Sequence, residues 1–263
     1  MIKRLLVLAL LVPIMAFQEV QTPPFVWRKV SNTSFQMNEV LKYRLHYGWI
    51  NAGTMTLTVV DKGDMVRSRP CYYVKCEGKT NSAIGLAYRV DDRFESLVDK
   101  ESMAPLRYQK IVRENSYTDK DNAEYFPETE KMKTPSGETP APSYTQDIAS
   151  VFYYFRNVDF TGATPGKIYP VDVYLDQKIY NLSFKFIGRE TISTDLGKIR
   201  CIKVKPKLVV DRVFKNTDGM TMWVSDDLNH IPVRIQSEIQ VGSVKADITS
   251  HFGLRNPFDS KVN

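Results

Sequence analysis

The residues that could perform chemistry in this sequence are few and widely spaced. Asp91, Asp92 and Glu95 form the densest group of carboxylates, inside a stretch that alternates like a β-strand. A glycosidase would need two such carboxyl groups facing one substrate. Alternation puts Asp92 on the face opposite to Asp91 and Glu95. With Arg93 between them, Asp91 and Glu95 fit a ladder of charges on a solvated sheet face, which needs no catalytic role.

The three histidines are isolated from groups with which they could act. The pattern puts His46 and His251 at polar-face positions of strands and His230 in a turn, where a solvated histidine is the ordinary case. No nucleophile elbow, glycine-rich phosphate loop or paired-histidine zinc motif occurs. Asp226 and Asp227 fit a turn better than a Ca²⁺ site, which needs more ligands. We therefore predict no catalytic residue, no metal site and no cofactor, a pattern that favours a protein other than an enzyme.

The cysteines are three in number, which is too few for a disulfide framework. Cys71 and Cys76 lie five positions apart in a predicted strand, on opposite faces, so they cannot bond each other. Cys201 could pair with Cys71 in an oxidising compartment. Three free, buried thiols is the other interpretation, and the sequence leaves both open.

Large apolar side chains indicate a different chemistry, the binding of an apolar ligand. The predicted ligand-binding residues are Trp49, Phe152, Tyr153, Phe155, Met222 and Trp223, with Tyr43, Tyr47 and Phe184 as further strand residues of the same kind. Aromatic side chains and adaptable methionines suit an imprecise lipid pocket. The same side chains would also fill a core, because burying each one stabilises a protein by roughly 1.5–3 kcal/mol.

One segment of the mature chain predicts a helix, at about residues 144–157. Ser143 and Gln146 have the spacing of a capping box, and Asp147 adds negative charge near the helix start. Apolar residues then recur at helical spacing, at positions 148, 151, 152 and 155, and further aromatic residues widen this surface. We expect this helix to contact protein on more than one side.

Most of the remaining chain alternates with period two, which predicts about eleven or twelve strands. Leu41, Tyr43 and Leu45 share one face of the first strand, and a hairpin is predicted around Asp176 and Gln177. The proline-rich residues 126–142 predict a mobile loop. The fold class is mainly β. We expect a large curved antiparallel sheet, forming a half-barrel, a barrel-like shape or a sandwich, packed around the one helix.

The N-terminus has the pattern of an export signal. Residues 1–16 read as a signal peptide, with Lys3 and Arg4 before an apolar run too short to span a bilayer. No cysteine follows the junction, so we expect a protein that is not a lipoprotein. No later stretch approaches the length of a membrane helix. The prediction continues with an extended lead-in at 17–38, one β-rich domain at 39–252 and a tail at 253–263.

The charge balance argues against a nucleic-acid partner. The formal net charge is +6, and cleavage after residue 16 leaves 34 basic and 30 acidic residues, a charge of +4. Basic and acidic residues are interspersed, whereas nucleic-acid-binding domains concentrate Lys and Arg on one face. We expect a protein of the periplasm, with secretion to the medium as the alternative.

Six ordered segments carry a resemblance to a known family. They are LKYRLHYGWINAGTMTL (41–57), RPCYYVKCEGKT (69–80), YRVDDRFESLVD (88–99), QDIASVFYYFRNVD (146–159), GRETISTDLGKIRCIKVKP (188–206) and MWVSDDLNHIPVRIQSEIQVGSVKADI (222–248). Together they resemble the uncharacterised bacterial envelope family catalogued as domain of unknown function 3108, over roughly residues 39–252. The resemblance implies a fold similar to the LolA/LolB-like lipoprotein carriers, which have a curved sheet and an apolar cavity. This chain departs from those carriers in having one predicted helix and more strands.

Export, one-sided strands and this resemblance predict non-catalytic binding or carriage of an apolar ligand, a lipid or a lipoprotein acyl chain, in the cell envelope. The alternative is a structural or interaction module with a filled core and an envelope protein as partner. An enzyme acting on envelope glycans or lipids is a third hypothesis, for which Asp92 and Glu95 are the residues to test.

Overall fold

The structure is a computed structural model that describes residues 24–209, 219–240 and 242–262. The predicted signal peptide lies outside the described residues. The strands are β1 Val40–Tyr47, β2 Ile50–Val60, β3 Met65–Val66, β4 Arg69–Thr80, β5 Asp91–Asp99, β6 Pro105–Glu114, β7 Tyr117–Phe126, β8 Lys131–Thr134, β9 Gly137–Pro140, β10 Gln146–Asp147, β11 Ile168–Leu175, β12 Lys178–Thr194, β13 Gly197–Val209, β14 Met220–Ser225, β15 Pro232–Glu238, β16 Ser243–Phe252 and β17 Lys261–Val262. The helices are α1 Ser82–Gly85 and α2 Ser150–Phe155, with a 3-10 turn at Pro127–Thr129.

The strands form one large sheet in which neighbours along the chain are mostly neighbours in space. Its order is β10-β11-β12-β13-β14-β15-β16-β1-β2-β4-β5-β6-β7-β8-β9. The short strands β3 and β17 pair with β4 and β13. The pairs are antiparallel except β10–β11, which is parallel. Hairpin connections explain this pattern, because antiparallel strands can be joined by very short turns.

The sheet bends until its two ends touch, but the end strands β9 and β10 do not pair with each other. Side chains join the ends instead. The Tyr174 ring on β11 packs edge-on against Tyr108 of β6, with centroids 6.0 Å apart, and its hydroxyl donates to Asp121 of β7 at 2.8 Å. The Ser136 hydroxyl donates to Gln177 across the same seam at 2.6 Å. The mainly β prediction is confirmed, as a bent sheet that is not closed into a barrel.

The predicted alternation is found in the core. Leu41 and Tyr43 on β1 and Leu57 and Val59 on β2 are buried, as a period-two pattern requires. The predicted hairpin around residues 176 and 177 is also found. Both turn residues have positive φ, 49° and 60°, which is the geometry that matches strand twist in two-residue hairpins.

The predicted principal helix over 144–157 is wrong in extent. Helix α2 has six residues, and a second short helix, α1, follows β4. The capping box does not form, because the Ser143 hydroxyl donates to Glu130 and the Gln146 side chain donates to the Met103 carbonyl. The backbone of residues 146–147 pairs with β11 instead. Tertiary pairing therefore overrides the local helix signal at the start of this segment.

The predicted mobile loop at 126–142 is also wrong. Its residues form the 3-10 turn and the β8–β9 hairpin, with Met132 and Ala141 buried. Strand β7, which precedes it, had no prediction, because its sequence YTDKDNAEYF is mostly polar. The strand is polar because a buried carboxylate, Asp121, faces inward beside Tyr125. The strand count of about eleven or twelve was therefore too low.

The lead-in residues 24–39 lie outside the strands and helices, yet they contribute to the core. Phe35 is completely buried, and its ring packs against Tyr153 of α2 with centroids 4.9 Å apart. The backbone N–H of Val30 donates to the Glu101 carbonyl at 2.8 Å. The lead-in covers the end of the bent sheet at which α2 lies.

All three cysteines are free and buried. Cys76 faces the main core, and Cys71 lies on the other face of β4 in a small cluster with Val66 and Leu106. The sequence left open a Cys71–Cys201 disulfide or three free thiols, and the structure has three free thiols.

Candidate functional site

A buried carboxylate holds the start of α2. One oxygen of Asp147 accepts hydrogen bonds from the backbone N–H groups of Ala149 and Ser150, at 2.9 and 2.8 Å. Its other oxygen accepts one from the Ser96 hydroxyl of β5 at 2.8 Å. Burial raises the pKa of Asp147 to about 6, although these hydrogen bonds act in the opposite direction. One titratable side chain thus joins β5 to the helix.

A buried ion pair fixes the end of α2. Arg156 Nη1 and Nη2 lie 2.5 and 2.9 Å from the two carboxylate oxygens of Glu39. Its Nε donates to the Asn229 carbonyl and its Nη2 to the Ser34 carbonyl, both at 2.9 Å. Burial lowers the pKa of Arg156, but the charge of Glu39 raises it by more, so the guanidinium stays charged. The helix is therefore anchored at both termini.

Helix α2 packs on two sides. Tyr153 is buried in the main core, beside Phe35 and Tyr43. Phe155 is buried in a second core, where its ring lies 4.0 Å from that of Phe184 and 5.4 Å from that of Phe160. This agrees with the expectation that the helix contacts protein on more than one side.

The structure brings five of the six predicted ligand-binding residues near the two cores and leaves one apart. Tyr153 and Trp223 belong to the main core, and Phe155 and Met222 to the second, with Phe152 half-buried against both. Met222 and Trp223 are successive residues of β14 and so point to opposite faces. Trp49 lies in the β1–β2 turn, 92% exposed. The six residues do not line one common cavity, and their role in binding stays a prediction.

A groove of about 270 Å³ runs beside α2, on the side of Tyr154 and Phe155. It is lined by Tyr154, Phe155, Val158, Tyr169, Pro170, Val171 and Phe184. None of these seven side chains carries a formal charge. The helix supplies one wall, the β11–β12 hairpin supplies the other, and the alternation of β11 turns Tyr169 and Val171 toward it.

Two basic side chains lie at the edges of this groove, which we call the α2 groove. Lys167 Nζ lies 5.1 Å from the centroid of the Tyr169 ring, and the Arg28 guanidinium lies 4.9 Å from that of Tyr154. Arg28 is engaged further, because its Nε donates to the Ser102 carbonyl at 2.8 Å. Lys167 is exposed and forms no ion pair with any described residue. The groove therefore has an apolar floor and a free cation at one edge.

A polar cavity of about 530 Å³ opens at the opposite end of the bent sheet, between β5–β7 and the β11–β12 turn. Its centre is Lys110, whose Nζ lies 2.5 Å from carboxylate oxygens of both Asp119 and Asp176. Burial lowers the pKa of Lys110, but these two carboxylates raise it by more, so the lysine is charged. The charge of Lys110 is therefore paired with those of Asp119 and Asp176.

A third cavity, of about 450 Å³, lies behind the end of α2 and contains His230. The His230 Nδ1 lies 2.8 Å from the Arg156 carbonyl oxygen and must donate to it, which leaves Nε2 as the acceptor nitrogen. Burial lowers the pKa of His230, so the ring is neutral near pH 7. Arg189 on the wall of this cavity pairs with Asp226 at 3.2 Å.

The predicted solvated histidines are placed differently from one another. His251 is exposed, and its ring packs against Phe258. His46 is buried, with Nε2 at 3.0 Å from an Asp247 oxygen that Arg234 also contacts. The solvated interpretation was wrong for His46, because neighbouring strands cover that outer face with charged side chains.

The carboxylates singled out in the sequence have structural partners. Glu95 accepts a hydrogen bond from the Tyr73 hydroxyl at 2.5 Å and lies 3.6 Å from Arg93. Asp92 accepts one from the backbone N–H of Arg113 at 3.0 Å. Within the described ranges, no three His, Cys, Asp or Glu side chains are grouped so that they could hold a metal ion. No helix in the described part of the chain is long and apolar enough to cross a membrane.

Sequence reasoning missed the far wall of the α2 groove. Phe184 was counted as a strand aromatic, but Tyr169, Pro170 and Val171 were not considered for binding. The available signal was the aromatic and apolar run IYPV at 168–171, directly after a turn that returns the chain from the helix.

The chain belongs to the family described as "Protein of unknown function (DUF3108)", whose model matches residues 42–249. This confirms the resemblance drawn from the six segments. No curated protein matches the chain.

Solved structures are similar to it at low identity. A β-barrel-like protein of domain of unknown function DUF1849 from Brucella abortus has a TM-score of 0.55 and 9% identity, over 83% of this chain and 99% of that one. A protein described as exported, with a YmcC-like fold, from Bacteroides fragilis has a TM-score of 0.39 and 11% identity, over 85% and 99%. A protein described as a lipoprotein from Parabacteroides distasonis has a TM-score of 0.38 and 12% identity, over 86% of this chain and 100% of that one. The Brucella protein shows a shared fold and nothing about function, and the other two likenesses are too low to support a conclusion.

Proposed function

We propose that this protein is an exported, non-catalytic binding protein of the cell envelope, working in the periplasm, that holds an acyl chain of a lipid or lipoprotein. The observation that carries the proposal is the α2 groove, an open trough with seven uncharged, mostly aromatic or aliphatic side chains and the exposed Lys167 at its edge. Apolar lining with one or two placed polar groups is the usual composition of a small-molecule site. The similarity to LolA/LolB-like carriers stays part of this proposal.

The size of the groove limits the occupant. About 270 Å³ is the space of about nine water molecules at roughly 30 Å³ each, which suits part of one chain rather than a whole lipid. If about eight methylene groups enter, each contributes about 0.8 kcal/mol. The total of about 6 kcal/mol corresponds to a dissociation constant on the order of tens of micromolar. We therefore expect weak, exchangeable binding.

A fluorescent fatty acid titrated into the purified mature protein tests this function. We expect saturable binding that Val171→Lys weakens at least tenfold, because the new ammonium would lie in the apolar trough. Ile168→Lys is the matched control. It lies on the same strand, is exposed on the other face, and should bind as the unchanged protein does. Absence of saturable binding, or equal binding by both variants, would exclude the groove.

The edge cation makes a second, separate test of the same site. Lys167→Gln should weaken binding of a fatty acid several-fold but leave the corresponding fatty alcohol unaffected, because only the acid has a carboxylate for the ammonium to attract. If the variant binds both ligands more weakly by the same factor, the lysine acts on the shape of the groove and does not recognise the head group.

The second candidate is a structural or interaction module. It is favoured by the packing of α2 on two sides, with Tyr153 and Phe155 both buried. In that case the fatty-acid titration fails, and affinity purification from envelope extracts recovers a protein partner that is lost when the exposed surface, rather than the groove, is altered.

A further inference from the structure

Two depressions of the surface adjoin each other beside the end of α2. Val158 lines both the α2 groove and the cavity that contains His230, which we call the His230 cavity. The Tyr169 hydroxyl, on the groove wall, donates to the Asp159 carbonyl of the cavity wall at 3.3 Å. The Phe160 ring lies between those of Tyr169 and His230, with centroids 5.2 and 5.3 Å away. An occupant of the groove that extends past Val158 therefore reaches the His230 cavity.

The His230 ring supplies this cavity with a hydrogen-bond acceptor. Because Nδ1 donates to the Arg156 carbonyl, Nε2 of the neutral ring carries no proton and can only accept. No donor among the described residues bonds to this Nε2. A partner of the ring must therefore bring a hydrogen-bond donor to the cavity.

The charged side chains that line the His230 cavity are of both signs. They are Arg156, Arg189, Asp159, Asp226, Asp227 and Asp259. Arg156 is paired with Glu39 and Arg189 with Asp226. Asp227 accepts hydrogen bonds from two serine hydroxyls, both at 2.8 Å. The other two carboxylates are exposed and form no ion pair with any described residue. An ion of either sign would therefore meet a like charge on a wall of the cavity.

We propose, on the basis of the acyl-chain binding proposed above, that the His230 cavity holds the uncharged, hydroxyl-bearing head group of the same amphiphile, a glycerol or sugar head. Its hydroxyl groups can donate to His230 Nε2 and to the carboxylates of Asp159 and Asp259. They can also accept a hydrogen bond from Arg189, whose Nη1 has no acceptor among the described residues. Since hydroxyl groups carry no charge, neither sign on the walls repels them.

The volume and the lining of the His230 cavity suit a head group of this size. About 450 Å³ is the space of about fifteen water molecules at roughly 30 Å³ each, more than the α2 groove has. Ile202 and Leu228 add apolar lining on which the C–H face of a sugar ring can pack. Lys167 lies beside Tyr169, at the end of the groove that adjoins the cavity. Lys167 and the His230 cavity therefore place the polar end of the amphiphile at the same end of the groove.

Two ligands with the same chain and different head groups test this assignment. We expect octyl glucoside, below its micelle-forming concentration, to displace the fluorescent fatty acid at a concentration about fivefold lower than octanol does, the gain from about one added hydrogen bond.

The variant His230→Asn should abolish this advantage and leave the binding of octanol unchanged. Asparagine can still donate to the Arg156 carbonyl from its amide, and it tolerates the positive φ of 44° at this position, but it has no acceptor in the place of Nε2. Binding of octanol by the variant also shows that it is folded. His251→Asn is the matched control, because His251 is exposed and does not line the cavity. It should bind both ligands as the unchanged protein does.

The results separate this head-group site from acyl-chain binding itself. If octanol and octyl glucoside both fail to displace the fatty acid, the groove does not hold a chain and both proposals fail. If the two ligands bind equally, or if His230→Asn weakens both by the same factor, the groove holds a chain but the cavity does not recognise the head group. Octylamine that binds more tightly than octyl glucoside would also overturn the assignment, because the exposed carboxylates would then select a cation.

Discussion

Arg156 and Glu39 are 117 positions apart in the chain, yet their side chains meet in the interior with two charge-assisted hydrogen bonds. Both side chains are buried, at 1% and 0% exposure. An uncompensated charge at such a place is far more costly than an exposed one, because little water can solvate it.

Removing one partner should therefore unfold the protein readily. We expect Glu39→Gln or Arg156→Met to lower the free energy of unfolding by about 3–5 kcal/mol, measured by urea denaturation. The surface pair Lys131–Glu138, at 2.7 Å with half-exposed side chains, is the control. Lys131→Ala should cost no more than about 1 kcal/mol. Equal effects at the two pairs would show that burial does not determine the cost.

The protonation of Asp147 should make stability depend on pH. Its pKa in the folded state is raised to about 6, above the usual value near 3.8, so the folded protein binds this proton more tightly than the unfolded chain. Stability should then fall as the pH rises from about 4 to about 6, by up to about 3 kcal/mol.

The variant Asp147→Asn isolates this contribution. Asparagine keeps an acceptor oxygen for the N–H groups of Ala149 and Ser150 but does not titrate. The difference in unfolding free energy between the variant and the unchanged protein should be small at pH 4 and favour the variant at pH 7. A difference that is constant with pH would contradict the raised pKa.

Two nearby glycines should respond in opposite ways to alanine. A Cβ at Gly53 would lie 2.2 Å from the Lys79 carbonyl oxygen of β4, so the backbone would have to move to relieve this contact. Gly53→Ala should destabilise the protein by roughly 1–3 kcal/mol. At Gly78, on β4 itself, a Cβ meets nothing within 4 Å. Gly78→Ala should be neutral or stabilise by up to about 1 kcal/mol, as urea denaturation would measure.

The three cysteines should be inert until the chain unfolds. Burial raises the pKa of Cys71 to about 11 and of Cys76 and Cys201 to about 12, so almost no reactive thiolate forms at pH 8. A thiol reagent should modify none of them in the native protein and all three in denaturant without reductant. Modification of one thiol alone in denaturant would show that two are joined in a disulfide.

The sequence was informative where local pattern and tertiary environment agree. On β1 and β2 the apolar face is mostly buried and the other face is mostly half-buried or exposed, so the alternation of these strands was visible. The pattern was misleading at residues 143–149, where helix-forming spacing competes with pairing to β11. It gave no strand prediction for β7, because the inward polar side chains of that strand meet partners from distant strands. Those partners depend on the bending of the whole sheet, which a local pattern does not contain.

The candidate site was predictable only in part for the same reason. Phe155 was identified from its helical stripe, and the groove does lie beside it. Val171 and Tyr169 lie on a strand whose distance from the helix depends on the turn at 159–167 and on packing against Phe160. Trp49 has the residue type expected of a ligand contact, but its turn places it at the opposite end of the sheet.

The contacts of Arg156 also determine when this chain can finish folding. The hydrogen-bond partners of Arg156 are Ser34 and Glu39, early in the chain, and Asn229, late in the chain. Asn229 in turn donates to the carbonyls of Asn256 and Pro257 in the tail. A chain that emerges from its N-terminus can therefore form the pair between Arg156 and Glu39 early, but Arg156 gains its contact with Asn229 only after most of the chain has emerged. Truncation before residue 229 should leave an aggregation-prone species, and a pulse-proteolysis time course should show protection arising in one late step.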